Sequence, residues 1–158
     1  MNSLFTERVH IAKGLAPSAD IYNGNPSTDV VNMKQFKRAA FVLHQATGGT
    51  NTGTAVVTLS CSAAADGSTA TALAFKHRKL TTGVSDTLSD ITNVASTGYT
   101  TTANETTVHV FEIEAADLTP DKPYLFATLT ESVNDPVLGS VLIYLFDKSY
   151  EPSATALT

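Results

Sequence analysis

The stretch PYLFATLTESVNDPVLGSVLIYLF, residues 123–146, decides how the rest of the chain reads. In its first half Leu125, Ala127 and Leu129 alternate with Phe126, Thr128 and Thr130, the period-two pattern of a half-buried strand. Its second half, residues 137–146, carries Val, Leu, Ile, Tyr and Phe on both faces and is interrupted only by Gly139 and Ser140. A strand that is apolar on both faces belongs in the middle of a sheet, covered on each side. Asn134-Asp135-Pro136 supplies turn chemistry between the two runs. The stretch therefore predicts a hairpin at the centre of the core.

Outward from this pair, the same alternation recurs. In residues 36–45, Ala39, Phe41 and Leu43 share one face and Arg38, Ala40, Val42 and His44 the other. In residues 54–62, Ala55, Val57, Leu59 and Cys61 oppose Thr54, Thr58 and Ser60. In residues 69–79, Leu73, Phe75 and His77 share a face, and in 106–114, His109, Phe111 and Ile113 do. Short strands are also expected at 29–33 and 99–102, while residues 83–93 fit a helical turn or a strand equally. The Gly/Thr segment 47–54 and Asp66-Gly67 read as hairpin loops. The expectation is an all-β chain: a β-sandwich of roughly seven to nine strands, jelly-roll or Greek-key-like, with no helix of about ten residues.

Composition agrees. The chain has 158 residues, enough for one domain with a real core. Only 16% of them are charged, against roughly 25% ordinarily, while 24 are Thr and 20 are Ala. β-Branched Thr suits a pleated, half-exposed surface. So few charges leave either a neutral, well-hydrated surface or one that spends its life docked in an assembly.

Residues 1–28 differ from the rest of the chain. Leu4, Phe5, Val9, Ile11 and Leu15 are apolar without a sustained period, and Pro17, Asn23, Gly24, Asn25 and Pro26 then break the segment up. Two readings stand: an extended N-terminal arm that packs along the domain or reaches a neighbouring subunit, or an edge strand with its connection. The domain organisation expected is an arm at 1–28, a sandwich at 29–147 and a polar C-terminal tail at 148–158.

Chemistry-bearing patterns are sparse. A net charge of −5 argues against nucleic acid, whose phosphates require clustered Lys and Arg. The one basic cluster, Lys76-His77-Arg78-Lys79, reads as a solvated strand end. Cys61 stands alone on an apolar face, which leaves no intramolecular disulfide and fits a small buried hydrophobe. His10, His44, His77 and His109 are scattered over different elements and lack metal-ligand spacing. Glu112 and Glu114 share a strand face and read as its wet side rather than an acid–base pair. Asp117, Asp121, Glu131 and Asp135 do not match a calcium loop and read as turn caps. Asn104 heads a glycosylation-type triplet, which carries meaning only on a secretory route. No nucleophile elbow is present, and neither a signal-type apolar run nor a membrane-length one appears. The expectation is a non-enzyme without metal or cofactor, made in the cytoplasm.

With the strands laid out, residues 62–67 (SAAADG), 72–76 (ALAFK), 111–118 (FEIEAADL) and 121–144 resemble small virion proteins of tailed bacteriophages and prophages. Such proteins are typically encoded near the major capsid protein. The resemblance covers about residues 35–147 and is most specific within residues 123–146. It implies a β-sandwich decoration (cement) protein or head accessory protein on the capsid surface. The partners it implies are the major capsid protein and copies of the chain itself, as a dimer or trimer, with no nucleic acid or membrane. On this reading Leu4, Phe5, Val9, Ile11 and Leu15 are the expected partner contacts. The alternatives are a tail-tube, tail-terminator or head–tail connector subunit, which would form rings. A further one is a module whose loops at 47–53 and 81–90 meet a carbohydrate or host surface, although those loops carry no aromatic residue.

Overall fold

The computed structural model of the chain describes residues 4–46, 50–81 and 86–148. A short helix, α1 (Phe5–Arg8), opens directly into β1 (Val9–Ser18). Then come β2 (Val31–Asn32), β3 (Phe36–Ala46), β4 (Thr54–Ser62), β5 (Thr71–Leu73) and β6 (Phe75–Thr81). The last five are β7 (Thr92–Val94), β8 (Tyr99–Thr100), β9 (Thr107–Glu114), β10 (Tyr124–Val133) and β11 (Leu138–Lys148). They form a six-stranded sheet, β1-β11-β3-β9-β6-β7, and a five-stranded one, β2-β10-β4-β5 with β8 on β4. Every ladder is antiparallel. Phe41, Phe111 and Ile143 of the first sheet meet Leu59, Leu125 and Leu129 of the second in one core. The expected β-sandwich is the fold. Its strand count exceeds the expectation because several pieces are only two or three residues long.

The central hairpin is not a hairpin. β10 pairs with β2 and β4, whereas β11 pairs with β1 and β3, so the two strands lie in opposite sheets. The alternation of residues 125–130 indicates which side chains of β10 face inward, and that holds: Leu125, Ala127 and Leu129 are buried. On β11, which reads as apolar on both faces, the buried set is Val141, Ile143 and Leu145. Inward-facing patterns fit two strands side by side or face to face equally well. Residues 134–137 reach up to about 13 Å when extended, enough to cross the roughly 10 Å between packed sheets. The crossing is held from both sides. The Ile21 N–H donates to the Val137 carbonyl at 2.8 Å, and the Thr52 N–H to Asp135 Oδ2 at 2.7 Å. The Asn51 side-chain amide donates to the Pro136 carbonyl. Asp135 thus caps a neighbouring loop, as its turn setting suggested.

β11 is covered on one face only. Its outer side chains Leu138 and Leu142 are exposed, which corrects the expectation of a strand buried on both sides.

Of the two readings of residues 1–28, the structure contains the edge strand: β1 runs antiparallel to β11 from Val9 opposite Phe146 to Ser18 opposite Gly139. A bulge interrupts it where Lys13 faces Leu142 and Leu15 faces Val141, leaving Gly14 as the extra residue. A Cβ on Gly14 would lie 2.8 Å from the Val141 carbonyl oxygen, so only glycine allows that approach. The Pro/Asn/Gly segment after β1 runs beside β10. Leu129 and Thr28 N–H groups donate to the Pro26 and Ala127 carbonyls, each at 2.9 Å, and the Glu131 N–H donates to Asn25 Oδ1 at 2.8 Å. Those bonds cover the edge that short β2 leaves open.

Residues 69–79 also behave unlike a single strand. β5 belongs to the five-stranded sheet and β6 to the six-stranded one, so the chain changes sheets at Ala74. Leu73, Phe75 and His77 all still point into the core. Lys76-His77-Arg78-Lys79 lies within β6 and is not a strand end. Residues 47–49, 82–85 and the expected tail from 149 onward lie outside the described residues.

Gly98 offers a test of this packing. It holds a φ of +96°, and a Cβ there would sit 2.7 Å from Thr58 Cγ2, Val56 Cγ1 and the Val57 oxygen. Gly98→Ala combines an unfavourable backbone with a clash against β4, and should cost about 2 kcal/mol in a urea titration. An unchanged midpoint would contradict the close approach of this turn to β4.

Candidate functional site

The outer face of the six-stranded sheet carries an apolar band. Ile11 lies opposite Tyr144, Leu142 opposite Val42, and Val42 opposite Val110, so these side chains adjoin across β1, β11, β3 and β9. α1 extends the band over the sheet, with the Phe5 ring edge-on to Tyr144 at 6.4 Å between centroids. α1 is anchored locally: the Leu4 N–H donates to Glu7 Oε2 at 2.8 Å, and the Glu7 N–H to the Leu4 carbonyl at 3.0 Å. Leu4 is 68% exposed, Phe5 57%, Ile11 44% and Leu142 41%. Large apolar side chains this exposed, and adjoining, are the usual mark of a contact surface.

The five residues expected to meet a partner therefore separate. Phe5 and Ile11 lie exposed on this band, and Leu4 is exposed at the start of α1. Val9 is only 8% exposed, and Leu15 packs partly buried against the core because the bulge at Gly14 turns it inward. Sequence reasoning missed Leu142 and Leu138, since β11 was expected to be covered on both sides.

The interior holds an arrangement that spacing did not announce. β6 and β9 are neighbours, and His77 Nε2 and His109 Nδ1 sit 3.0 Å apart, one donating and one accepting. Both rings are buried. Tyr99 stacks on His77 at 3.8 Å between centroids, and Phe111 lies against both imidazoles. His109 Nε2 has no hydrogen-bond partner among the described residues. Burial, with Lys79 adding to it, pushes the His77 ring down from 6.5 to about 4. Burial first, then His77 and Lys79, push His109 down to about 3. Beside them the Tyr22 hydroxyl donates to Gln45 Oε1 at 2.5 Å, and the Gln45 amide donates to the Thr102 and Glu105 carbonyls, each at 3.1 Å. Lys79 pairs with Glu105 at 2.9 Å. Closed off from solvent, the two imidazoles act as a neutral, hydrogen-bonded part of the core. The signal for them was present in the sequence: each fell on the apolar face of its strand.

Among the described residues no group of three or more His, Cys, Asp or Glu is placed to hold a metal ion. Cys61 is buried, in line with its apolar face. Glu112 and Glu114 are exposed on the outer face, at the mouth of a cleft of about 680 Å3. No described helix is long and apolar enough to cross a membrane. No family model matches the chain, and no curated protein or solved structure matches it.

The histidine pair predicts a pH dependence. A ring whose folded pKa is lowered contributes stability that is complete above its unfolded value of 6.5 and is lost as the pH falls toward its folded value. Between pH 6.5 and pH 5 the loss is about 2 kcal/mol per ring. Urea midpoints should fall across that window, and the His77→Phe/His109→Phe variant should flatten the slope. An equally steep slope in the variant would show that other groups carry it.

Proposed function

We propose that this chain is a structural virion protein that binds and stabilises a bacteriophage capsid as a decoration, or cement, protein. The observation that carries the reading is the exposed apolar band of Phe5, Ile11, Tyr144 and Leu142 on the outer face of the six-stranded sheet. The resemblance of residues 35–147 to small phage virion proteins and the low charge content, 16% of residues, support it. The partner is the major capsid protein, with further contacts between copies of this chain.

The physics of such a part is mass action. A subunit that binds only the assembled shell shifts the equilibrium toward that shell, in proportion to how tightly it holds. Burying a half-exposed Phe, Ile or Leu contributes about 1 kcal/mol each, so the band supplies affinity without any buried charge. Its rim is charged: Lys13 lies opposite Leu142, and Arg78 opposite Val110. Such rims set orientation more than strength.

Phe5→Ser/Ile11→Ser is the informative pair, because both side chains are exposed. It should leave thermal stability within about 1 kcal/mol of the parent and weaken incorporation into particles roughly thirtyfold, the equivalent of about 2 kcal/mol. Val9→Ser, at a buried position, should lower stability itself and serves as the folding control. Full incorporation of the well-folded double variant would remove the outer face from the docking surface.

A further inference from the structure

The strand that changes sheets leaves an opening behind it. β6 stays in register with β9 only from Lys76, opposite Glu112, to Thr81, opposite Thr107. β9 continues to Ile113 and Glu114, which have Ala39 and Arg38 of β3 on one side and no β6 partner on the other. β7 follows β6 away, pairing Val94 with Phe75. The diverging strands bound the cleft of about 680 Å3, within the roughly 300–1,000 Å3 typical of binding pockets. Phe75, Val94, Ile113 and Phe146 give it apolar walls, and exposed Ile91 forms part of its lip.

Its charges are unevenly committed. The Arg38 guanidinium donates twice to Asp147 Oδ2, at 3.1 and 2.7 Å, and lies 6.0 Å from the centroid of the Phe146 ring. Among the described residues the ion pairs are this one and Lys79–Glu105. Glu114 lies opposite Arg38 and Glu112 opposite Lys76, and both glutamates act on the Arg38 charge. Among the described residues, however, none of Glu112, Glu114 and Asp117 makes an ion pair, so three carboxylates share the lining with Lys76 and an Arg38 already bound to Asp147. An anionic ligand would meet these carboxylates, and a purely apolar one would strip water from them without replacing it. The carboxylates are not grouped closely enough to hold a metal ion. A cation on an apolar stem satisfies both parts of the lining, with its stem on the walls and its head at the carboxylates.

We propose that this cleft is a docking pocket for a Lys or Arg side chain carried on an apolar segment of a protein partner, the stem lying on Phe75, Val94 and Ile113 and the cation meeting Glu112, Glu114 and Asp117. The proposal goes beyond the capsid reading and stands independently of it, because its test reads the isolated full chain.

The test is an amide NMR titration of the 15N-labelled protein with acetyl-Leu-Arg-Leu-amide. Saturable shifts at Phe75, Val94, Ile113 and Glu114 are expected at about millimolar peptide. The Glu114→Gln/Asp117→Asn variant, changed at two exposed positions, should bind about tenfold more weakly while keeping its spectral dispersion. Acetyl-Leu-Glu-Leu-amide should produce no saturable shifts there. Absence of saturation, equal binding of the acidic peptide, unchanged affinity in the variant, or shifts confined to another surface would each overturn the proposal.

Discussion

The structure depends on a short crossing. Residues 134–137 carry the chain from the centre of one sheet to the other, and so place β10 and β11 face to face across the core. Each of these strands then has a long partner: β4 beside β10, and β3 beside β11. β11 is also the strand on which β1 builds. Most strands adjacent in sequence are sent to different sheets, so apart from β4–β5 and β6–β7 the ladders join distant segments. Such topologies must close long loops before contacts reward them, which favours slow folding. The bonds from Ile21, Asn51 and Thr52 that hold the crossing are themselves long-range, so the turn is fixed by the finished fold and not by its own sequence.

This explains what could be read from the sequence. Period-two alternation reports faces, and the faces came out right: Ala39, Phe41 and Leu43; Ala55, Val57, Leu59 and Cys61; His109, Phe111 and Ile113 are all buried. Alternation says nothing about neighbours, which is why residues 123–146 read as a hairpin. Continuous apolarity in residues 137–146 read as two-sided burial, whereas the outer half of that pattern stays in contact with solvent. The bulge at Gly14 reverses the facing of Leu15 relative to Ile11. The isolated glycine is its one mark in the sequence, and it goes unread because the residues around it show no sustained strand period. The histidine pair needed a cross-strand register that no spacing rule supplies, although both residues already stood on apolar faces.

The molecule separates its polar chemistry by depth. Inside, His77 bonds to His109 and Tyr22 to Gln45, whose amide reaches the backbone, while His109 Nε2 stays unpaired among the described residues. Burial pushes the Tyr22 hydroxyl up to about 12. All four side chains are buried. Outside, the six-stranded sheet presents an apolar band toward the β1 edge and a charged, apolar-walled cleft where β6 leaves β9. Both surface features follow from single topological events, the exposed outer face of β11 and the sheet change at Ala74. Together they suit a part whose work is done by contact.

The most direct test of the assembly role is immunogold electron microscopy of particles from the source, using an antibody against this chain. Label distributed over the particle heads is the predicted result. Particles that carry no label, or label confined to the tail or neck, would contradict a capsid decoration protein.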